Sequence, residues 1–297
     1  MPGYSRFLLM NKLPISFLIC TLNEESNIAR CLDSILTQNP SEVIVIDGGS
    51  TDKTEEIVRM YKQVRFEVCS GNGLCYQRML GVSLAEKRFI AFVDADDALS
   101  DGWALNLYNN LNNGKYSALQ SRVRAVGLTK NNYLSDSWDQ YFRATIKPAT
   151  DCDMVGRPSL YTRESLLDYY FRSPDDNLKN YSWSEDTVMS IFFQRRGYRQ
   201  GISHSTAESF RRVPQTISEN LLKFMKYGKG YAAVAYFFPK KRLAILRHIV
   251  YVQPIQRTAS ILRDRKYYYV FFASAQFFGI FSSFLLNFIS NSLKYRK

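Results

Sequence analysis

Cysteine and histidine are scarce in this chain of 297 residues, with five of the first and two of the second, and no two cysteines stand in a CxxC pair. An odd number of cysteines (Cys20, Cys31, Cys69, Cys75 and Cys152) without paired spacing argues against a disulfide framework and a thiolate zinc site, and points to a reducing compartment. Cys20 and Cys31 fall on apolar positions, where a thiol serves as a small hydrophobe. No tract is of low complexity, and no repeat of solenoid length recurs. Before Asn11 and Lys12 only Phe7 to Met10 form an apolar run, too short for a signal-peptide core, so no secretion signal is expected there.

Acid is missing where base is plentiful. Between Lys223 and Lys266, eleven Lys or Arg stand against Asp264 alone, and much of the formal net charge of +12 lies there. A basic block suits nucleic acid, an anionic membrane surface or a phosphorylated substrate. Here it is interleaved with Phe, Tyr, Leu and Ile and runs into an uncharged segment, which favours membrane over nucleic acid. From Tyr267 to Leu293 no residue is charged, and this length exceeds the roughly 20 residues needed to span a bilayer. Frequent Ser, Asn and Gln, with basic residues on both flanks, leave three readings open: a spanning helix, a helix lying in the interface, or a buried soluble helix.

What is present is a chain 46% hydrophobic and 14% aromatic, with a clear alternation of segments in its first half. Ile15 to Thr21 and Glu42 to Asp47 are short aliphatic strands, the second apolar on both faces. Between them a helix carries Ile28, Cys31, Leu32, Ile35 and Leu36 on one side, with Asn23 as its expected cap and Pro40 at its end. Ser50 to Asp52 are expected to start a second helix with Ile57, Val58 and Tyr61 inward, and Asp52 is assigned to capping. A third strand follows at Val64 to Val68, a helix at about Gly73 to Glu86, and a fourth strand at Phe89 to Asp94. Such alternation predicts an α/β fold with a mostly parallel sheet, whose ligands bind beyond the carboxyl ends of the strands. Tyr116 to Val126 is expected as one strand, with helices over Thr162 to Phe171 and Ser184 to Arg196. Strand signals stop near Pro214, which predicts a first domain over 1–215 and a basic helical region over 216–297.

Three acidic clusters stand out. Asp94, Asp96 and Asp97 close an aliphatic strand, and carboxylates at i and i+2 there suit a hard cation shared with phosphate oxygens; the plainer role is a polar loop capping the next helix. Asp47 ends the second strand just before Gly48 and Gly49, where backbone can approach a ligand closely. Glu185 and Asp186 open a helix, where acids ordinarily complement the helix dipole.

Thr21-Leu22-Asn23-Glu24-Glu25, the IDGGSTDKT of Ile46 to Thr54, the FVDADD of Phe92 to Asp97 and the pair Glu185-Asp186 occur in the order and spacing of a known family. Over residues 13 to about 215 the chain resembles a family 2 glycosyltransferase of GT-A fold. Tyr227-Gly228-Lys229-Gly230 is similar to a Tyr-Gly-x-Gly of membrane-associated members. The resemblance implies Thr21 and Glu24 lining a nucleotide pocket, Asp47 at the base, Arg78 on the nucleotide, and Asp94 facing ribose and metal. It further implies Asp96 as a ligand of Mn²⁺ or Mg²⁺ and Asp186 as the catalytic base. The expected partners are a UDP- or GDP-sugar, a lipid-linked or glycan acceptor, and a membrane whose cytoplasmic side holds the active site.

Departures from the pattern are informative. Arg211 stands where many relatives carry a histidine; it cannot ligate a metal, but it can grip phosphate oxygens. His204 lies nearby and suits a strand end or the surface. The processive Gln-x-x-Arg-Trp is missing, since Gln194-Arg195-Arg196-Gly197-Tyr198 lacks the tryptophan, so one sugar per encounter is expected. A nucleotidyltransferase would need a glycine-rich basic loop that LNEESN does not offer. A catalytically degenerate membrane-docked protein is disfavoured by the intact Asp94, Asp96 and Asp186.

Overall fold

The computed structural model describes residues 12–71, 73–127, 133–146, 148, 151–152, 154–172, 185–204, 206–237, 240, 242–247 and 269–294. Trp183, Ser184 and the basic residues at 257, 263, 265 and 266 lie outside them. The chain forms two compact units: one takes in Met1–Arg124, Phe142–Asn180 and Met189–Arg212, the other Ala125–Tyr141, Tyr181–Val188 and Val213–Lys297.

In chain order the elements are β1 (Leu13–Thr21), α1 (Ile28–Leu36), β2 (Pro40–Asp47), α2 (Thr54–Arg59), β3 (Arg65–Val68), α3 (Leu74–Leu84), β4 (Phe89–Asp94), β5 (Asp97–Leu99), α4 (Trp103–Leu111), β6 (Ala118–Gln120) and β7 (Arg122–Val126). They continue with α5 (Tyr133–Thr145), β8 (Ser159–Thr162), α6 (Arg163–Phe171), α7 (Glu185–Arg196), β9 (Gln200–Ile202), β10 (Glu208–Arg212), α8 (Ile217–Phe237), α9 (Arg242–Arg247) and α10 (Tyr269–Lys294).

Seven strands form the main sheet in the order β3-β2-β1-β4-β8-β6-β9. The pairs β2–β3, β1–β2, β1–β4 and β6–β9 are parallel, whereas β8 runs antiparallel to β4 and β6. Both faces are covered, which is why β2 and β4 carry continuous apolar runs: Val43 to Ile46 and Phe89 to Val93 are buried. The helix α1 buries Ile28, Cys31, Leu32 and Ile35, the i, i+3, i+4, i+7 stripe of an amphipathic helix. These side chains join Phe17, Ile19, Val45, Phe89, Trp103 and Leu107 in one core.

From β1 the order runs to β2 on one side and to β4 on the other, so a switch point opens between β1 and β4 at their carboxyl ends. The register sets Thr21 opposite Asp47 and Cys20 opposite Asp94. Two expectations need correction. Asn23 does not cap α1, which starts at Ile28; it takes a left-handed φ of 56° and accepts from the Thr51 N–H at 2.8 Å, binding two loops together. Tyr116 to Val126 is not one strand: the chain breaks at Ser121, leaving β6 in the main sheet and β7 in a three-stranded sheet ordered β5-β10-β7.

In the second unit, α8 and α10 pack closely because small residues face their partners. A Cβ on Gly228 would stand 2.9 Å from Ser283 Cβ and nearer still to the Ile280 carbonyl oxygen. The Ser283 hydroxyl donates to the Met225 carbonyl at 2.7 Å across the same contact. Trp138 of α5 stacks on Phe224 and donates to Asn220 Oδ1 at 2.7 Å. Among the described residues no helix is long and apolar enough to cross a membrane.

Candidate donor-binding site

At the end of β2 the chain must turn at once. The Asp47 carboxylate accepts from the N–H groups of Gly49 (2.9 Å) and Ser50 (2.7 Å) and from the Ser50 hydroxyl (2.5 Å). Gly49 has φ +93°, a conformation glycine adopts freely, and Gly48 leaves the room that the Gln77 amide fills. Asp47 therefore holds the shape of this turn. Asp52 does not occupy the cap of α2, which falls on Lys53; one residue earlier, its Oδ1 accepts from the Thr54 N–H at 3.0 Å. On the β1 side, Glu24 accepts from the Asn27 amide at 2.7 Å, and its backbone N–H donates to Thr54 Oγ1 at 2.8 Å. Among the described residues the buried Thr21 Oγ1 has no hydrogen-bond partner, an unusual and costly condition for a buried hydroxyl unless a ligand meets it.

At the end of β4, Asp94, Asp96 and Asp97 each bring a carboxylate oxygen within 4.8 Å of the others. Three like charges so close repel, and arginines offset them. Arg211 of β10 forms a fork on Asp97, its Nε donating to Oδ1 at 3.0 Å and its Nη2 to Oδ2 at 2.5 Å. The same Nη2 donates to Asp94 Oδ2 at 2.8 Å, and Arg211 Nε lies 3.7 Å from Asp96 Oδ1. Arg78 of α3 donates to the other Asp94 oxygen at 3.2 Å. The Asp97 side chain is 0% exposed, against 33% for Asp94 and 25% for Asp96. Burial pushes the Asp97 carboxyl up to about 7 against the pull of Arg211. Burial also opposes charge on Arg211, but Asp97, Asp96 and Asp94 outweigh it and hold the guanidinium well above its ordinary value.

All-oxygen carboxylate donors fit a hard divalent cation. Asp97 is fully buried under Arg211, so the carboxylates exposed to such an ion are Asp94 and Asp96. The Asp96 backbone is fixed as well: its carbonyl accepts from Arg30 Nη2 at 2.6 Å and from the Arg212 N–H at 2.9 Å. Burial and the neighbouring Arg212 push the Arg30 guanidinium down.

The first unit thus gathers Arg78, Asp94, Asp96 and Arg211 at one place, with Thr21 and Asp47 at the adjoining strand ends and Glu24 on the loop after β1. Asp186 lies in the second unit, in the first turn of α7, and its Oδ1 accepts from the Thr187 N–H at 2.8 Å; Glu185 beside it is buried. Sequence reasoning missed Arg157. Its side chain is buried, lies 4.9 Å from the Phe92 ring centroid and donates to the Tyr161 hydroxyl at 2.8 Å, while its backbone carbonyl accepts from Arg211 Nη2 at 3.3 Å. It stands alone before Pro158, without an acidic neighbour in sequence, and no local signal marks it. Asp97 was visible as a third carboxylate, but its role as the anchor of Arg211 needs a residue 114 positions away.

The sequence profile described as Glycosyl transferase family 2 matches residues 16–170, more than half of the chain. The chain belongs to glycosyl transferase family 2. A lipopolysaccharide core biosynthesis glycosyltransferase, LpsC of Rhizobium meliloti, is 30% identical over 95 residues, which are 31% of this chain and 34% of that protein. Matches cover between 15% and 34% of the length of the first curated relatives. Among solved structures, Staphylococcus aureus TarS 1–349 in complex with UDP aligns with a TM-score of 0.51 at 14% identity, covering 96% of this chain and 92% of that one. GalNAc-T7 with UDP, GalNAc and Mn²⁺ aligns at 0.54 and 14% identity over 76% of this chain and 48% of that one. At such identities the likeness is one of fold, and the fold is GT-A.

Proposed function

We propose that this chain is an inverting, metal-dependent glycosyltransferase. It moves one sugar from a UDP- or GDP-sugar to a membrane-bound acceptor, a polyprenyl phosphate or a lipid-linked glycan. The observation that carries the reading is the Asp94 carboxylate, bracketed by Arg78 and Arg211 at the sheet's switch point, where an anionic nucleotide meets fixed positive charge. UDP in both solved neighbours, and Mn²⁺ in one of them, agree with that chemistry.

Each residue then has a task. Asp47 shapes the turn against which the base lies, and Thr21 offers the nucleotide its buried hydroxyl. Arg78 and Arg211 face the diphosphate. Asp94 and Asp96 would hold Mn²⁺ or Mg²⁺, which when bound offsets the charge on the leaving diphosphate. Asp186 takes the proton of the acceptor hydroxyl as that oxygen attacks the anomeric carbon, so one displacement inverts the configuration.

The acceptor and a site at the cytoplasmic face of a membrane are argued from the second unit. On α8, Leu222 and Met225 are exposed beside exposed Lys226 and Lys229. On α10, Phe278, Leu285, Leu286 and Ile289 are exposed with helical spacing. Apolar side chains with lysines at their edge suit an anionic lipid surface, where each basic residue contributes about 1 kcal/mol, better than they suit nucleic acid. The name of LpsC, from lipopolysaccharide core synthesis, is in keeping with a lipid-linked acceptor.

The test is a screen of UDP- and GDP-sugars with Mn²⁺, following nucleotide release with and without membrane extract and the anomeric configuration of the product. Release with one donor, stimulated by membrane and abolished by chelator, is expected. A product of retained configuration would overturn the inverting mechanism, and no release from any donor would overturn the activity.

A further inference from the structure

The carboxylate that a cation needs is already shared. Asp94 Oδ2 accepts from Arg211 Nη2 at 2.8 Å and Asp94 Oδ1 from Arg78 at 3.2 Å, so both of its oxygens face guanidinium groups. Arg211 has little freedom to leave, because its fork on Asp97 is buried and its Nη2 also donates to the Arg157 carbonyl at 3.3 Å. Asp96 is less committed, with its Oδ1 3.7 Å from Arg211 Nε. A cation approaching Asp96 and Asp94 therefore meets fixed positive charge on one of its two ligands. A histidine in this place could turn neutral and share a metal; arginine keeps its proton at any physiological pH.

We infer that Arg211 competes with the divalent cation for Asp94, and that the donor's diphosphate relieves the competition by giving the guanidinium a second anion. Arg211 is thus a positioning residue that makes cation and nucleotide binding depend on one another. Asp97 is its anchor and not a metal ligand. The planar guanidinium can keep its Asp97 contacts on one edge and turn its remaining N–H groups to phosphate oxygens. The inference rests on the proposed nucleotide-sugar site and adds to it a dependence set by Arg211: the cation binds well only with the nucleotide. By linkage, what the nucleotide does for the cation the cation does for the nucleotide.

The experiment uses the full chain and measures Mn²⁺ binding by the paramagnetic resonance signal of the free ion, alone and with saturating UDP or GDP. Nucleotide binding without Mn²⁺ is measured separately by calorimetry. Two variants are compared with wild type. Arg211→Lys keeps a charge for Asp97 but lacks the fork that also reaches Asp94. Asp97→Asn with Arg211→Gln replaces the ion pair by an amide pair and leaves the net charge of the site unchanged.

In wild type, nucleotide should tighten Mn²⁺ binding by about tenfold or more, within the usual range of coupling between sites. In both variants Mn²⁺ alone should bind about tenfold tighter than to wild type, and the gain from nucleotide should shrink to about threefold or less. Variants that bind Mn²⁺ alone within about twofold of wild type overturn the inference, as does a wild-type Mn²⁺ affinity indifferent to nucleotide. If neither UDP nor GDP binds wild type, the proposed donor site fails and this inference with it. If nucleotide binds but the coupling survives both variants, only the role of Arg211 fails.

Discussion

Gly81 of α3 faces Leu18 of β1 so closely that a Cβ there would stand 2.8 Å from Leu18 Cγ and nearer still to both Leu18 methyl groups. Leu18 is 1% exposed in the middle of the sheet and has nowhere to turn. Gly81→Ala should therefore overpack the contact at a cost of about 1–3 kcal/mol. Against this, alanine gains about 1 kcal/mol over glycine in a helix interior, leaving a net loss of about 1 kcal/mol. In a Leu18→Ala background, itself less stable by about 2–5 kcal/mol, the same Gly81→Ala change meets no side chain and should stabilise by up to about 1 kcal/mol. The two substitutions are thus expected to couple by about 2 kcal/mol, read from denaturant midpoints at unchanged slope. The contact also sets the reach of Arg78, one helical turn earlier on α3. Gly81→Ala should weaken nucleotide binding by up to about tenfold, the worth of one charge-assisted hydrogen bond, and the double variant should recover part of it. Strict additivity, with coupling below about 0.5 kcal/mol, would refute the claim that glycine is required here for close approach.

Further outcomes follow from the same geometry. Asp96→Asn should abolish the dependence of nucleotide release on Mn²⁺ concentration and leave a low basal rate; an unchanged Mn²⁺ response would remove Asp96 from the cation site. Asp186→Asn should lower kcat by about 10²- to 10⁴-fold while donor KM stays within a few-fold, and near-normal turnover would show that another group takes the acceptor's proton. Burial, then Asp97 and Asp96, raise the Cys31 thiol well above its ordinary value of 9.0. In the folded chain Cys31 should resist a thiol reagent at pH 8, and rapid modification without unfolding would contradict its burial. The sign for stability follows: the fold keeps the Cys31 proton, so its contribution is full below the unfolded pKa and declines as pH rises above it.

The parallel half of the fold was legible because its signals are local. Aliphatic runs ending in Asp47 and Asp94, each followed by a turn, mark strands whose carboxyl ends carry the chemistry. The one-face stripe of Ile28, Cys31, Leu32 and Ile35 marks the helix that covers them. Asn23 misled because Asn serves both as a helix cap and as a left-handed turn residue, and only the partner loop at Thr51 decides between them. Ser121 was missed for a related reason. Gln120, Ser121 and Arg122 carry no Gly or Pro to mark a break between two sheets, and the neighbouring strands β8 and β10 lie far along the chain.

The charges at the site show where local reading ends. Asp94 and Asp96 are spaced as ligands of a cation and Asp97 looks no different in sequence, yet Asp97 is spent on an arginine that enters from the last strand of the unit. Such an exchange cannot be read from the acidic segment itself, because a buried carboxylate and an exposed one have the same sequence. What separates them is desolvation: Asp97, fully buried, is tolerable only with a guanidinium bound to both oxygens. Removing Arg211 alone would strand that charge, at a cost of about 3–5 kcal/mol, whereas removing both partners would not. The pair therefore behaves as one structural unit whose Nη2, held on Asp97, also reaches Asp94. The departure from histidine at position 211 and the third aspartate at position 97 are then two halves of one feature, and a chain carrying either without the other should fold less stably than a chain carrying both or neither.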